Sequence, residues 1–123
     1  MKKALGLAAL LTVLPLASLA APAGFVNPLT FKGSEAEKAS VVKYIQTRVQ
    51  NEMKVTGMNN ASTARMMEES NLTAFKALTS VESKDTLKKV IDNYCNRIDM
   101  CGYATLKLMY DKELKDSKKS LSW

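Results

Sequence analysis

Histidine is absent from this chain of 123 residues. That removes the commonest general base near neutral pH and the usual partner of a nucleophilic serine or cysteine. Cysteine is scarce, with only Cys95 and Cys101. Zinc takes four ligands drawn mainly from Cys and His, so no metal or cofactor site is expected. The two thiols are spaced C-x5-C, not the C-x-x-C of thioredoxin-like oxidoreductases, and no βαβ pattern surrounds them. No stretch alternates apolar and polar residues cleanly enough for a half-buried strand. No apolar run reaches the roughly 20 residues that span a bilayer. Charge of either sign is interspersed rather than blocked, and no aromatic–basic interleaving points to nucleic acid.

What is present begins with an export address. Lys2 and Lys3 precede the apolar run Ala4–Leu14, Pro15 ends it, and Ser18-Leu19-Ala20 offers a signal peptidase its small residues. Residues 1–20 therefore read as a cleaved bacterial signal peptide, and the product as periplasmic. Removing residues 1–20 of the 123 leaves 103, a single small domain. Losing Lys2 and Lys3 takes the 18 Lys and Arg to 16 against 12 Asp and Glu, a net charge of +4. In an oxidising compartment Cys95 and Cys101 are expected to pair.

Residues 21–33 carry Pro22, Pro28, Gly24 and Gly33 and cannot be helix, yet Phe25, Val26, Leu29 and Phe31 need cover. They read as an extended arm that packs on its own domain, the alternative being exchange with a second subunit in a homodimer. Ser34-Glu35-Ala36-Glu37 is a capping box opening a first helix. Val42, Ile45, Val49 and Met53 form its stripe, widened by Val41 and Tyr44, and Gly57 ends it. A second region, about 62–78, aligns Met67, Ala74, Phe75 and Leu78, but Asn71 falls where an apolar residue belongs. It is one helix, or two with Asn71 capping the second.

A third helix follows Ser83 with Leu87, Val90, Ile91, Tyr94 and Ile98 in register. A fourth starts at Tyr103 and carries Leu106, Met109, Tyr110 and Leu114. Six residues of continuous helix rise about 9 Å, beyond the roughly 7 Å limit between bridged Cα atoms. A Cys95–Cys101 bridge therefore demands a turn between the cysteines, placed at Asp99–Gly102. The expected fold is an all-α bundle of four or five helices, residues 34–118, with one disulfide at a helix–helix corner and a tail at 119–123.

Candidate chemistry is thin. Two carboxylates can cleave a glycosidic bond without histidine, but adjacent Glu68 and Glu69 lie about 100° apart on a helix and cannot share one cleft. Glu82, Asp92, Asp99 and Asp111 are scattered among cations. The methionines of the mature chain lack the clustering of a copper site, and Met53, Met67 and Met109 fall on core stripes. Met58 and Met100 fall in turns, where thioethers make adaptable contacts with a protein partner. The expectation is therefore a binder, not an enzyme.

The leader, the mature length, the single cysteine pair and the lack of a catalytic constellation together resemble the periplasmic immunity proteins of type VI secretion systems, those that block peptidoglycan-cleaving effectors. The resemblance is to the whole-chain plan and implies a protein, often dimeric, that plugs an effector's active cleft. Such inhibitors tend to be acidic where their targets are cationic, and a net +4 chain departs from that. It requires a local acidic patch, or a target whose catalytic carboxylates attract a basic plug. The braced corner Asn96–Met100 is the expected contact element, with Arg97, Asp99 and Met100 as its contacts. Met58, Glu68 and Glu69 complete the partner-contact residues. The rival readings are a periplasmic stress protein that shields unfolded clients through exposed methionines and a mobile arm, and a cell-wall enzyme with paired carboxylates.

Overall fold

The computed structural model describes residues 21–123, so the signal peptide expected at 1–20 lies outside the described residues. Four α-helices follow in order: α1 Glu35–Thr56, α2 Ala61–Leu78, α3 Lys84–Ile91 and α4 Tyr103–Ser117. Among the described residues there is no strand. The all-α bundle with one disulfide at a helix–helix corner is the fold that the helical spacings and the cysteine geometry predict.

Each helix starts where its capping chemistry lies. Ser34 Oγ accepts the Glu37 N–H at 3.1 Å while the Glu37 carboxylate accepts the Ser34 N–H at 3.1 Å, closing the capping box of α1. The carboxylate is drawn below its ordinary range chiefly by that Ser34 N–H. Gly57 ends α1 at φ 76°, and the Met58 N–H returns to the Met53 carbonyl at 3.0 Å. Asn60 Oδ1 caps α2 through the Thr63 N–H at 2.7 Å, and Ser83 caps α3 through Thr86 at 3.2 Å.

The core draws on every helix: Val41, Tyr44, Ile45, Val49 and Met53 of α1; Ala74, Phe75 and Leu78 of α2; Leu87, Val90 and Ile91 of α3; Tyr103, Leu106 and Tyr110 of α4. At the start of α1 the expected stripe began with Val42 and took Val41 only as its margin. The structure reverses the two, since both satisfy the helical spacing and periodicity does not decide between them. Packing turns Val41 inward, 2% exposed, and leaves Val42 at 42%.

At Asn71 the structure decides between the two alternatives in favour of one helix. It neither breaks α2 nor caps a second segment, since α2 runs unbroken through it. Its Nδ2 donates to the Met67 carbonyl at 2.9 Å, and its Oδ1 accepts the Ala104 N–H at 2.9 Å. A polar residue stands on an otherwise apolar stripe because the stripe there faces the start of another helix.

The arm packs within its own chain. The Phe25 ring lies 5.6 Å from Tyr103 and 5.7 Å from Tyr44, and Phe31 meets Phe75 edge-on at 5.0 Å. The Tyr103 hydroxyl donates to the Val26 carbonyl at 2.8 Å and accepts the Val26 N–H at 3.0 Å. The arm is not simply extended but folds through two turns, Phe25 N–H to the Pro22 carbonyl and Thr30 N–H to the Asn27 carbonyl. Between them its backbone is tied from a wholly buried tyrosine. At the other end of the chain Trp123 is fully exposed and anchors nothing.

Candidate functional site

The third helix does not hold its α geometry to the cysteines. After Ile91 it widens into one turn of π-helix, Asp92–Asn96, with Cys95 inside it. The chain then reverses, and the Met100 N–H bonds the Tyr94 carbonyl at 2.9 Å. This reversal brings Cys95 and Cys101 to a Cα separation of 4.6 Å, bridged and buried. A reversal between the cysteines is therefore present, but it comes earlier than the expected Asp99–Gly102, bending at residues 97–99 directly after the π-turn ends. Ile98 departs from the expected core stripe and stands 48% exposed, because the helix has already ended before it.

Between the two cysteines the side chains point to solvent. Arg97, Ile98, Asp99 and Met100 are consecutive exposed residues, with Met100 at 49%. An exposed apolar residue alone is ordinary on a protein surface. Here Ile98 and Met100 flank a carboxylate on a backbone that a covalent bridge holds from beneath.

The corner is also held from α1. Arg48 Nη1 donates to Asp99 Oδ1 at 3.0 Å, and its guanidinium lies 5.6 Å from the Tyr44 ring centroid. The Tyr44 hydroxyl donates to the Cys101 carbonyl at 2.7 Å. Burial pushes that hydroxyl up to about 12, with Arg48 pulling the other way, so it remains a proton donor at neutral pH. Arg48 Nε is buried with no hydrogen-bond partner among the described residues. The ion pair is half in water and contributes little to stability; its effect is to orient Asp99. Sequence reading missed Arg48 and Tyr44 as supports of the corner. Their i, i+4 spacing on α1 is the one signal that could have linked them.

Charge at the corner follows from this pairing. Asp99 is engaged by Arg48, whereas Arg97 has no acidic partner within 4 Å among the described residues. The corner therefore presents a guanidinium without an acidic partner among the described residues, next to Ile98, and an Asp99 carboxylate that stays 76% exposed between Ile98 and Met100.

The other expected contact residues lie elsewhere. Glu68 is three-quarters or more buried along its side chain and pairs with Arg65, while Glu69 is exposed; both line a groove between α1 and α2. Met58 is half-exposed beside the α1–α2 turn, with Met53, Asn60 and Ala64 around it. The six residues thus occupy three places: Arg97, Asp99 and Met100 at the corner, Glu68 and Glu69 in the groove, and Met58 beside the turn. Contrary to the expectation from their 100° offset, Glu68 and Glu69 border the same groove, one from its floor and one from its rim. The scattered acids mostly answer to local cations: Glu82 to Lys118, Asp111 to Lys107 and Asp99 to Arg48. Among the described residues no group of three His, Cys, Asp or Glu side chains converges as a metal site would. No described helix is long and apolar enough to cross a membrane. No family model, curated protein or solved structure matches the chain.

Proposed function

We propose that this protein is an exported inhibitor that blocks a peptidoglycan-cleaving enzyme by inserting its disulfide-braced corner into the enzyme's cleft. One observation carries the reading: Arg97, Ile98 and Met100 project together from a backbone segment pinned by Cys95–Cys101, by the Tyr44–Cys101 hydrogen bond and by Arg48–Asp99. A preorganised loop loses little conformational entropy on docking, which is the main cost that flexible binding elements carry. A guanidinium next to an exposed Ile98 suits a cleft lined by catalytic carboxylates, and arginine is among the residues that most often dominate binding energy. This reading needs no acidic patch.

The client-shielding alternative drew on exposed methionines and a mobile apolar arm. Met58, Met66 and Met100 are exposed, but they stand apart from one another in the sequence and form no cluster with the arm. The arm's Phe25, Val26 and Phe31 are committed to Tyr44, Tyr103 and Phe75 of the same chain. That leaves the corner as the better supported contact surface.

The test is retention of a wall-degrading enzyme from periplasmic extract on the immobilised protein, followed by digestion of purified peptidoglycan with and without added inhibitor. One stoichiometric hydrolase, suppressed at equimolar protein, is the expected result. I98D with M100D, and separately R97E, are expected to abolish retention while the circular dichroism stays helical. Undiminished capture by these variants, or capture of no hydrolase, would overturn the assignment.

A further inference from the structure

The outer face of the α1–α2 hairpin carries a cleft of about 440 Å³ that the corner does not use. Its position follows from the hairpin register. The four residues 57–60 join the two helices, so the start of α1 lies against the end of α2. Lys38 and Lys76 consequently stand at the same end of the groove, away from the turn, and Val42 and Leu72 lie one helical turn further in. Phe31 of the arm and Phe75 of α2, packed edge-on, complete the wall.

The volume lies within the roughly 300–1,000 Å³ typical of small-ligand clefts, and so does the lining, mostly apolar with a few polar groups. No acidic side chain lines it. Lys76 has no acidic partner within 4 Å among the described residues, and Lys38 meets only Glu35, which is almost wholly exposed. A lysine in the last turn of α2 also complements the helix's carbonyl end, but that role is filled anywhere on the helix surface and does not account for the cleft beside it. Val42, excluded from the core, is the apolar surface that this cleft leaves open to solvent.

The cleft has room for about one turn of a helix some 10 Å across. Grooves that receive a helix offer anchor positions over two or more turns. A thin, flexible chain fits better. Beyond Val42 and Leu72 the adjoining cleft turns polar, with Gln46, Arg65, Glu68 and Glu69, so the apolar floor is short and ends there.

We propose that this cleft binds single-chain anionic amphiphiles of the fatty-acid class, with the anionic head between Lys38 and Lys76 and the alkyl chain along Val42 and Leu72. The positive mouth selects the sign of the head, and the apolar floor requires the tail. This binding is independent of the corner and stands whether or not the inhibitor reading does.

The test is calorimetric titration of the exported, disulfide-intact protein with decanoate below its micellar concentration, compared with acetate, 1-decanol and decyltrimethylammonium. One saturable decanoate site is expected, with no binding of acetate and at least about tenfold weaker binding of the neutral and cationic compounds, the size of one lost charge-assisted contact. K38E with K76E is expected to weaken decanoate about tenfold or more, and V42D to abolish its binding. Both sites of change are exposed, and unchanged helical circular dichroism checks the fold. I98D with M100D should bind decanoate as the unaltered protein does, which keeps failure here distinct from failure of the inhibitor reading. The proposal is overturned by absence of saturable binding, by affinity indifferent to head-group charge, or by no effect of the lysine changes. Binding to phosphatidylglycerol vesicles without binding of monomeric decanoate would overturn it in favour of a membrane-facing surface. A Val42-dependent dimer in sedimentation that excludes decanoate would overturn it in favour of self-association.

Discussion

The side-chain amide of Asn71, in the middle of α2, accepts the Ala104 N–H at 2.9 Å and caps α4, whose own cap position is held by Gly102. Glycine has no side chain with which to satisfy the first amides of the helix, so the acceptor comes from a residue 33 positions away. The same side chain returns a donor to Met67 and leaves neither end of the amide idle.

Replacing Asn71 by leucine would restore the apolar stripe of α2 and remove the cap of α4. We expect N71L to destabilise the fold by about 1–2 kcal/mol, the range for losing a capping acceptor in a half-buried setting. N71D keeps the acceptor and should lose less. Urea unfolding of the two variants side by side measures the difference. A more stable N71L would mean that the stripe matters more than the cap.

Tyr103 is wholly buried and holds the arm through both hydrogen bonds to Val26. Y103F keeps the ring stack with Phe25 but strips a backbone donor and acceptor of their partner. The expected cost is about 1–3 kcal/mol. Limited proteolysis should then cut within residues 22–30 well before the helices, whereas the unaltered chain should resist at that site. Equal cleavage rates would show that aromatic packing alone holds the arm.

The Cys95–Cys101 bridge closes a small ring. Loop-closure entropy assigns it a contribution of about 2–2.5 kcal/mol. C95A with C101A should lower the unfolding free energy by that amount or somewhat more, since both sulfurs lie in the core. The same double variant should release Arg97–Met100 from its pinned geometry. Faster amide exchange at residues 96–100 than at the centre of α1 would record that release.

Alkaline pH should expose the buried tyrosines. Burial raises the Tyr44 hydroxyl to about 12 and moves Tyr103 upward too, whereas an unfolded tyrosine ionises near pH 10. The folded state thus favours the protonated form. Its contribution to stability is fully present below about pH 10 and is lost as pH rises toward 12. Thermal unfolding at steps from pH 9 to 12 should show a falling midpoint, accompanied by phenolate absorbance. Y44F should flatten part of that slope, at the cost of the hydrogen bond to Cys101 at neutral pH. A midpoint constant over this range would contradict the burial of both hydroxyls.

Much of this architecture is written locally. Ser34 with Glu37, Ser83 and Gly57 mark helix ends through contacts within five residues, so their chemistry is readable in order along the chain. The bridge geometry works the same way: six residues of helix are too long for a disulfide, and the turn between the cysteines follows. Arg97 and Met100 as surface residues followed from that turn.

What the sequence determined by itself was therefore the helices, most of their ends and the need for a corner between the cysteines, all products of short-range geometry; the end of the third helix it placed too late. Tertiary structure alone decided the rest. Val41 and Val42 fit the same period, and only the packed neighbours distinguish the buried one from the one that opens a cleft. Asn71 looked like an interruption because its partner, Ala104, lies on another helix. Arg48 and Tyr44, which hold the corner, are separated from Asp99 and Cys101 by 51 and 57 residues. The Lys38–Lys76 cleft exists only once α1 and α2 fold against each other and Phe31 closes on Phe75. Periodicity reports which face of a helix is apolar; it carries no information about which other element will meet that face, and contacts between distant elements arise only when the chain packs.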